Sequence, residues 1–390
     1  MQMRRWAGTL RSNLQRRCSM RKLIVLSLLF TACASLPPAA PHAFVPPPAP
    51  GAPLQVCWVE TGGVTVPGGY GAGGSTVAAT WEITSAALVI RHPKGDLVLD
   101  TGISPHAHEE QRELGAWGRF TFSQTAGRNV PRRDLKEALT ALGVTRPMAL
   151  LLSHVHADHA GGAASLPDVP VWLAAEEKQL IEAELKHPRG VALPAHARAL
   201  MGRMVPIPFV AEPYANYEAR FDVFGDGTVV VVPTFGHTPG SVTTFVNVSP
   251  AQRFVHVGDL INLRESIERK VGKSWLMRQL TDEDSARTQA EVAKLVQLHA
   301  QDPELLILPA HDRRAFVELF GADDGGVPPC IGAQPRVSRD RGARGPSLQQ
   351  RSQRGPDMVA QLGLHGGDGV DVVGLEGGAV HGDGFQQERE

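Results

Sequence analysis

The chain reads as an α/β protein whose many short strands are buried on both faces and carry helices on their outside. Three observations lead there. Apolar runs of strand length recur along most of the chain, and segments with helical spacing interleave with them. The composition suits one large globular body: 390 residues, 42% hydrophobic and 20% charged, with a formal net charge of -1. No basic block lies within the body, so the electrostatic footprint of a nucleic-acid binder is missing.

Taken in order, residues 1–35 read as an export signal. A basic segment ending in Met20-Arg21-Lys22 precedes the apolar run Leu23 to Phe30 and then small residues. That run is too short to span a bilayer. Two processing readings stay open. Thr31-Ala32-Cys33 is similar to a lipoprotein site, which would give a lipid anchor through Cys33 and a membrane-attached, periplasmic protein; Ala32-Cys33-Ala34 fits an ordinary signal peptide. Residues 36–53 are a Pro/Ala-rich linker, expected to be extended and mobile. Outside the signal only Cys57 and Cys330 remain; they could pair in an oxidising compartment, but no spacing signature requires it.

The folded body is expected over 54–320. Strands are expected around Ala87–Ile90, Leu97–Leu99, Met148–Leu152, Val169–Leu173, Val229–Val232, Val242–Val246, Phe254–Val257 and Leu305–Leu308. Helices are expected over Asp134–Leu142, which stops at Gly143, over Ala175–Leu185, and over Ser285–His299. The Gly-rich stretch from Gly62 to Gly74 lacks the strand-to-helix context of a phosphate loop and reads as a rim or hairpin. Residues 321–390, rich in Gly, Arg and Gln, are expected to be a disordered tail in which His365 and His381 are bystanders.

The chemistry concentrates in Leu150-Leu151-Leu152-Ser153-His154-Val155-His156-Ala157-Asp158-His159. Three imidazoles and a carboxylate crowded at a strand end would repel or remain unsatisfied in a core unless a cation holds them. Alternate residues of an extended loop share a side, so His154 and His156 can face one ion, while Asp158 and His159, at the following turn, can face a second. Completing ligands are available just past other strands, in Gly236-His237-Thr238-Pro239-Gly240, Gly258-Asp259 and Pro309-Ala310-His311. Residues His92, His106, His108, His187, His196, His256 and His299 lack such context and read as ordinary surface or supporting residues.

These marks, together with Asp100-Thr101-Gly102, make residues 54–319 resemble the metallo-β-lactamase-fold hydrolases. The resemblance implies a four-layer αββα sandwich with a dinuclear zinc site at one edge, although other divalent metals would also suit these donors. It implies His154, His156 and His237 on the first metal, Asp158, His159 and His311 on the second, and Asp259 between them. Asp100 would be a carboxylate that orients a ligand histidine. Two such ions sharing a water would produce hydroxide near neutral pH, with Asp158 as the proton shuttle. Asp259 argues against a typical β-lactamase, and Phe221 to Thr228 is similar to the lactonase and carboxylic-ester branch. The expected activity is therefore an exported hydrolase of a small-molecule lactone or ester. A β-lactamase, a phosphodiesterase or an iron-dependent oxidoreductase of the same fold is the alternative. Tyr214 and Tyr217 could contact a substrate carbonyl, but packing is the favoured reading.

Overall fold

The computed structural model describes residues 36–333 apart from 41 and 76–78. The expected export signal with Cys33, and the tail beyond 333 with His365 and His381, lie outside the described residues.

The fold is the four-layer αββα sandwich. In chain order the strands are β1 (Gln55–Pro67), β2 (Thr80–His92), β3 (Gly95–Leu99), β4 (Val130–Pro131), β5 (Ala149–Leu151), β6 (Val171–Leu173) and β7 (Met204–Pro206), which build one sheet together with β13 (Cys330–Gly332). Its order is β13-β1-β2-β3-β5-β6-β7, with β4 paired to β1. A second sheet, in the order β12-β11-β10-β9-β8, contains β8 (Phe221–Asp222), β9 (Val229–Pro233), β10 (Val242–Ser249), β11 (Gln252–His256) and β12 (Leu306–Leu308).

Side-chain alternation along these strands makes the layers. In the first sheet Cys57, Val59, Val89, Val98 and Leu150 share a core with Leu135 and Leu139 of the helix Leu135–Ala141 and with Leu180 and Ile181 of the helix Ala175–Lys186. In the second, Val230, Val232, Phe245 and Val255 pack on Val292, Leu295 and Leu298 of the helix Ser285–Gln301. The alternate residues, including Leu88, Ile90, Leu97, Leu99, Val229, Val231 and Phe254, are also buried and turn to the space between the sheets. Burial on both faces is why the strands read as continuous apolar runs.

All eight expected strands and all three expected helices are present. Asp134 caps the helix Leu135–Ala141 by accepting from the backbone N–H of Lys136 and Glu137, and Asp284 caps the helix Ser285–Gln301 by accepting from that of Arg287. The Gly62 to Gly74 stretch is the rim or hairpin expected, part of the antiparallel β1–β2 pair, with Gly62 and Gly63 inside β1 at an irregularity in that pairing, where a Cβ on Gly62 would come within 2.7 Å of Ile103. Two expectations need correction. The linker is not a free tether over its described part, since Leu36 and Phe44 pack against the second-sheet core and Val45 exchanges backbone hydrogen bonds with Ala215. The tail does not begin at 321, because Cys330–Gly332 pairs antiparallel with Gln55–Cys57. A disulfide joins Cys57 to Cys330 across that pairing.

The disulfide closes a span of 273 residues, so replacing both cysteines by serine should lower the unfolding free energy by about 2–5 kcal/mol. Denaturant midpoints with and without reductant measure this. Four titratable thiols in the unreduced, unfolded full chain, rather than the two of Cys18 and Cys33, would contradict the link.

Candidate metal centre

Every candidate ligand leaves the C-terminal end of a strand. β3 and β5 run parallel and deliver Asp100 and the His154–His159 segment; β11 and β12 run parallel and deliver Asp259 and His311. β9, antiparallel to β10 as is β11, runs the same way and delivers His237. The ends of both sheets therefore open onto one edge of the sandwich. Two backbone features fit the close approach there. Asp100 adopts φ 55°, unusual for a residue with a side chain, and Gly258 immediately before Asp259 adopts φ 51°.

The seven side chains converge in two groups: His154, His156, His237 and Asp259, and Asp158, His159 and His311. In the first, His156 Nδ1 lies 3.0 Å from His154 Nε2 and 3.0 Å from His237 Nε2. Asp259 Oδ2 is 3.9 Å from His154 Nε2 and 3.5 Å from His237 Nε2. Toward the second group, Asp259 Oδ1 is 3.2 Å from His159 Nε2 and 3.1 Å from His311 Nε2, and Asp158 Oδ2 is 3.6 Å from His311 Nε2. Asp259 Oδ2 is also 3.1 Å from His311 Nε2, so one carboxylate lies between the two groups and reaches both.

The opposite ring nitrogens fix the tautomers. His159 Nδ1 pairs with Asp100 Oδ2 at 2.8 Å, His237 Nδ1 with Asp282 Oδ1 at 2.8 Å, and His311 Nδ1 donates to the Thr84 carbonyl at 2.8 Å. Ser153 Oγ donates to Asp100 at 2.8 Å and lies 3.1 Å from His154 Nδ1, while its N–H donates to the other Asp100 oxygen at 2.7 Å. With N–H at Nδ1, the Nε2 atoms of His154, His159 and His311 are directed at the centre, while His237 Nδ1 sits between Asp282 Oδ1 and the Lys273 ammonium, 2.9 Å away. Asp100 is therefore the orienting carboxylate that was expected.

Electrostatics agree. Burial, reinforced by the neighbouring imidazoles, pushes His154 and His156 well below the usual histidine range; burial and the Lys273 ammonium lower His237. Burial opposes charge on His159 and His311, but Asp259, with Asp100 beside His159 and Asp158 beside His311, outweighs it and raises both. Burial would likewise raise Asp259, yet His311 and His159 hold it well below the carboxylate range. His159 Nε2 and Asp259 Oδ1 are buried without completing a hydrogen bond, although they face each other. The neutral imidazoles of His154, His156 and His237, the Asp259 charge that faces the other two, and the orphaned buried atoms fit divalent cations.

Sequence reasoning missed two supporting groups, Asp282 and Glu177. Asp282 lies at the end of the helix Trp275–Thr281, fully buried, and also accepts from Lys273 Nζ at 2.6 Å. Glu177, read only as a helix former, is buried and accepts from the N–H of Val155 at 2.7 Å, the hydroxyl of Thr238 at 2.7 Å and the N–H of Gly240 at 3.0 Å. It ties the His154–His156 loop to the His237 turn, and burial raises its pKa to about 7. His256 is buried 3.9 Å from Asp100, with burial lowering its pKa to about 4. His92 and His196 are buried too, paired with Asp226 and Glu110. None of these three is a surface residue. Tyr214 and Tyr217 pack in the second-sheet core, so they are not substrate contacts.

The centre opens into a cavity of about 640 Å³ lined by His156, Asp158, Asp259 and His311, with apolar walls that include Val66, Phe122 and Met277.

Comparison with known proteins agrees with this architecture. The family profile of the metallo-beta-lactamase superfamily matches residues 80–311. A protein named probable metallo-hydrolase in Mycobacterium tuberculosis is 27% identical over 243 residues, covering 58% of this chain and 73% of the relative, and its Mycobacterium bovis counterpart gives the same figures. A solved N-acyl homoserine lactone hydrolase, holding N-hexanoyl-L-homoserine at its catalytic metal centre, superposes with a TM-score of 0.50 at 14% identity, covering 68% of this chain and 96% of that one.

Removing the Asp100 carboxylate frees two ligand imidazoles, so Asp100→Ala should weaken metal affinity about 10–100-fold. Competition with a chromophoric chelator measures it; unchanged affinity would remove Asp100 from the design. Glu177 gives a pH signature in the metal-free protein. Its folded pKa, about 7 against 4.5, contributes stability that is present below pH ~4.5 and lost as pH rises through ~7, on the order of 3 kcal/mol. The stability advantage of wild type over Glu177→Gln should therefore shrink across that window; a pH-independent difference would contradict the assignment.

Proposed function

This chain belongs to the metallo-beta-lactamase superfamily, and from that premise we propose that it is an exported dinuclear zinc hydrolase that opens a lactone or carboxylic ester. The observation that carries the reading is Asp259, whose carboxylate lies between the two ligand groups, with Oδ2 within reach of His237 and His311 and Oδ1 within reach of His159 and His311. A shared aspartate supports a pair of ions, and it supports ester or lactone chemistry over the β-lactamase alternative. The fold is also that of a lactone hydrolase, which keeps a cyclic ester within reach of the proposal. Export is supported by the signal-like N-terminus and by the Cys57–Cys330 disulfide.

His154, His156 and His237 would hold one cation, Asp158, His159 and His311 the other, with Asp259 common to both. When bound, the pair supplies Lewis acidity and an ionised water near neutral pH. The chain does the rest. Asp100, Asp282 and the Thr84 carbonyl hold the imidazoles in register, so no reorganisation is needed as charge develops. Asp158 lines the cavity and accepts from Asn129 Nδ2 at 3.5 Å. It is the carboxylate placed to take a proton from water and return it to the leaving alkoxide. The apolar walls exclude bulk water around the acyl part.

Zinc-loaded protein should turn over lactones or aryl esters, lose activity to a chelator and regain it with zinc. Turnover confined to nitrocefin or to bis-nitrophenyl phosphate would transfer the assignment to those bonds, and stoichiometric iron would favour the oxidoreductase alternative. Asp158→Ala should lower kcat by about 100-fold or more with the circular dichroism spectrum retained. Near-normal turnover would remove Asp158 from the mechanism.

A further inference from the structure

Resting on the hydrolase reading, we propose that Arg128 makes the cavity selective for esters or lactones that carry a second, carboxylate group. Arg128 ends the short 3-10 turn Ala126–Arg128 and lines the same cavity as His156, Asp158, Asp259 and His311. Its Nη2 donates to two neutral acceptors, Gln124 Oε1 at 3.3 Å and the Tyr70 hydroxyl at 3.4 Å, and its guanidinium carbon sits 5.0 Å from the centre of the Tyr70 ring. Its Nε is buried without a hydrogen-bond partner. Among the described residues no carboxylate pairs with it, whereas the cavity's other guanidinium, Arg189, is neutralised by Glu184 and Glu283. A guanidinium offers five donors in one plane, and two long contacts to neutral oxygens leave most of them unused.

The cation is also held in place relative to the metal ligands. The next residue, Asn129, donates to Ala126 O at 3.1 Å and to Asp158 Oδ2 at 3.5 Å. The backbone of Tyr70, whose ring lies against the guanidinium, accepts from Asn262 Nδ2 at 2.7 Å, three residues after Asp259. Arg128 is thus fixed from two loops that also carry candidate ligands. The apolar lining, with Val66, Leu193 and Met277, suits an alkyl spacer. A substrate of this shape places its scissile carbonyl at the ligand cluster and a distal carboxylate on the planar donors, a charge-assisted pairing that neutral esters cannot make.

The test compares 4-nitrophenyl hydrogen glutarate with 4-nitrophenyl pentanoate on the zinc-loaded full chain. In Arg128→Gln the ratio of kcat/KM for the anionic over the neutral ester should fall about tenfold or more, chiefly through KM of the anionic ester, and Arg128→Lys should regain part of it. An unchanged ratio, or equal losses on both esters, would overturn the proposal. A turnover-independent arm titrates glutarate and pentanoate calorimetrically into the zinc-loaded wild type and Arg128→Gln. Glutarate binding should weaken several-fold more than pentanoate binding; equal weakening again overturns it. Failure of the wild type to cleave either ester would count against the hydrolase reading alone, and the calorimetric difference would then decide the role of Arg128.

Discussion

The constraint on which this molecule turns is the convergence of unshared electron pairs. His156 Nδ1 lies within 3.0 Å of both His154 Nε2 and His237 Nε2 and has one proton at most to share with them, and burial together with mutual repulsion keeps the three rings from all being charged. Positive charge supplied from outside the protein reverses the sign of every one of these interactions. Asp259 extends the same logic to the second group, since its carboxylate lies against His237 on one side and against His159 and His311 on the other. The fold is the means of holding that arrangement closed while no side chain in it can relax away.

The scaffold does so through strand ends rather than through a single rigid loop. Five parallel-running strands from two sheets terminate at one edge, and the connections between them are tied by buried side chains that never face the centre. Glu177 joins the His154–His156 loop to the His237 turn, Asp100 and Ser153 lock β3 to β5, and Asp282 braces His237 against the Lys273 ammonium. A left-handed Asp100 and a glycine before Asp259 let the chain reverse where a regular strand would carry the carboxylates past the site.

Much of this was legible in the sequence because two-sided burial writes strands as uninterrupted apolar runs, and because the centre's ligands follow those runs directly. Val229–Val232 followed by Gly236-His237 announces both a strand and a candidate ligand. What escaped has a physical reason in each case. β1 carries Glu60, Thr61, Gly62 and Gly63 in its middle, so its pattern breaks where its pairing does. β13 is three residues long and owes its place to long-range pairing and a disulfide, which no local spacing reveals. Asp282 and Glu177 act across 45 and 22 or more residues through single side chains on helical segments, where an acidic residue ordinarily signals only solvent. Arg128 carries no motif at all; what marks it is that no carboxylate among the described residues pairs with it in the cavity.

The central claim is that Asp259 joins two metal sites. Metal analysis of the purified chain, dialysed after zinc loading, tests it most directly: the wild type should retain two zinc ions per chain and Asp259→Asn one or fewer. A wild type that retains a single ion, or an Asp259→Asn chain that still holds two with undiminished affinity, would contradict the account.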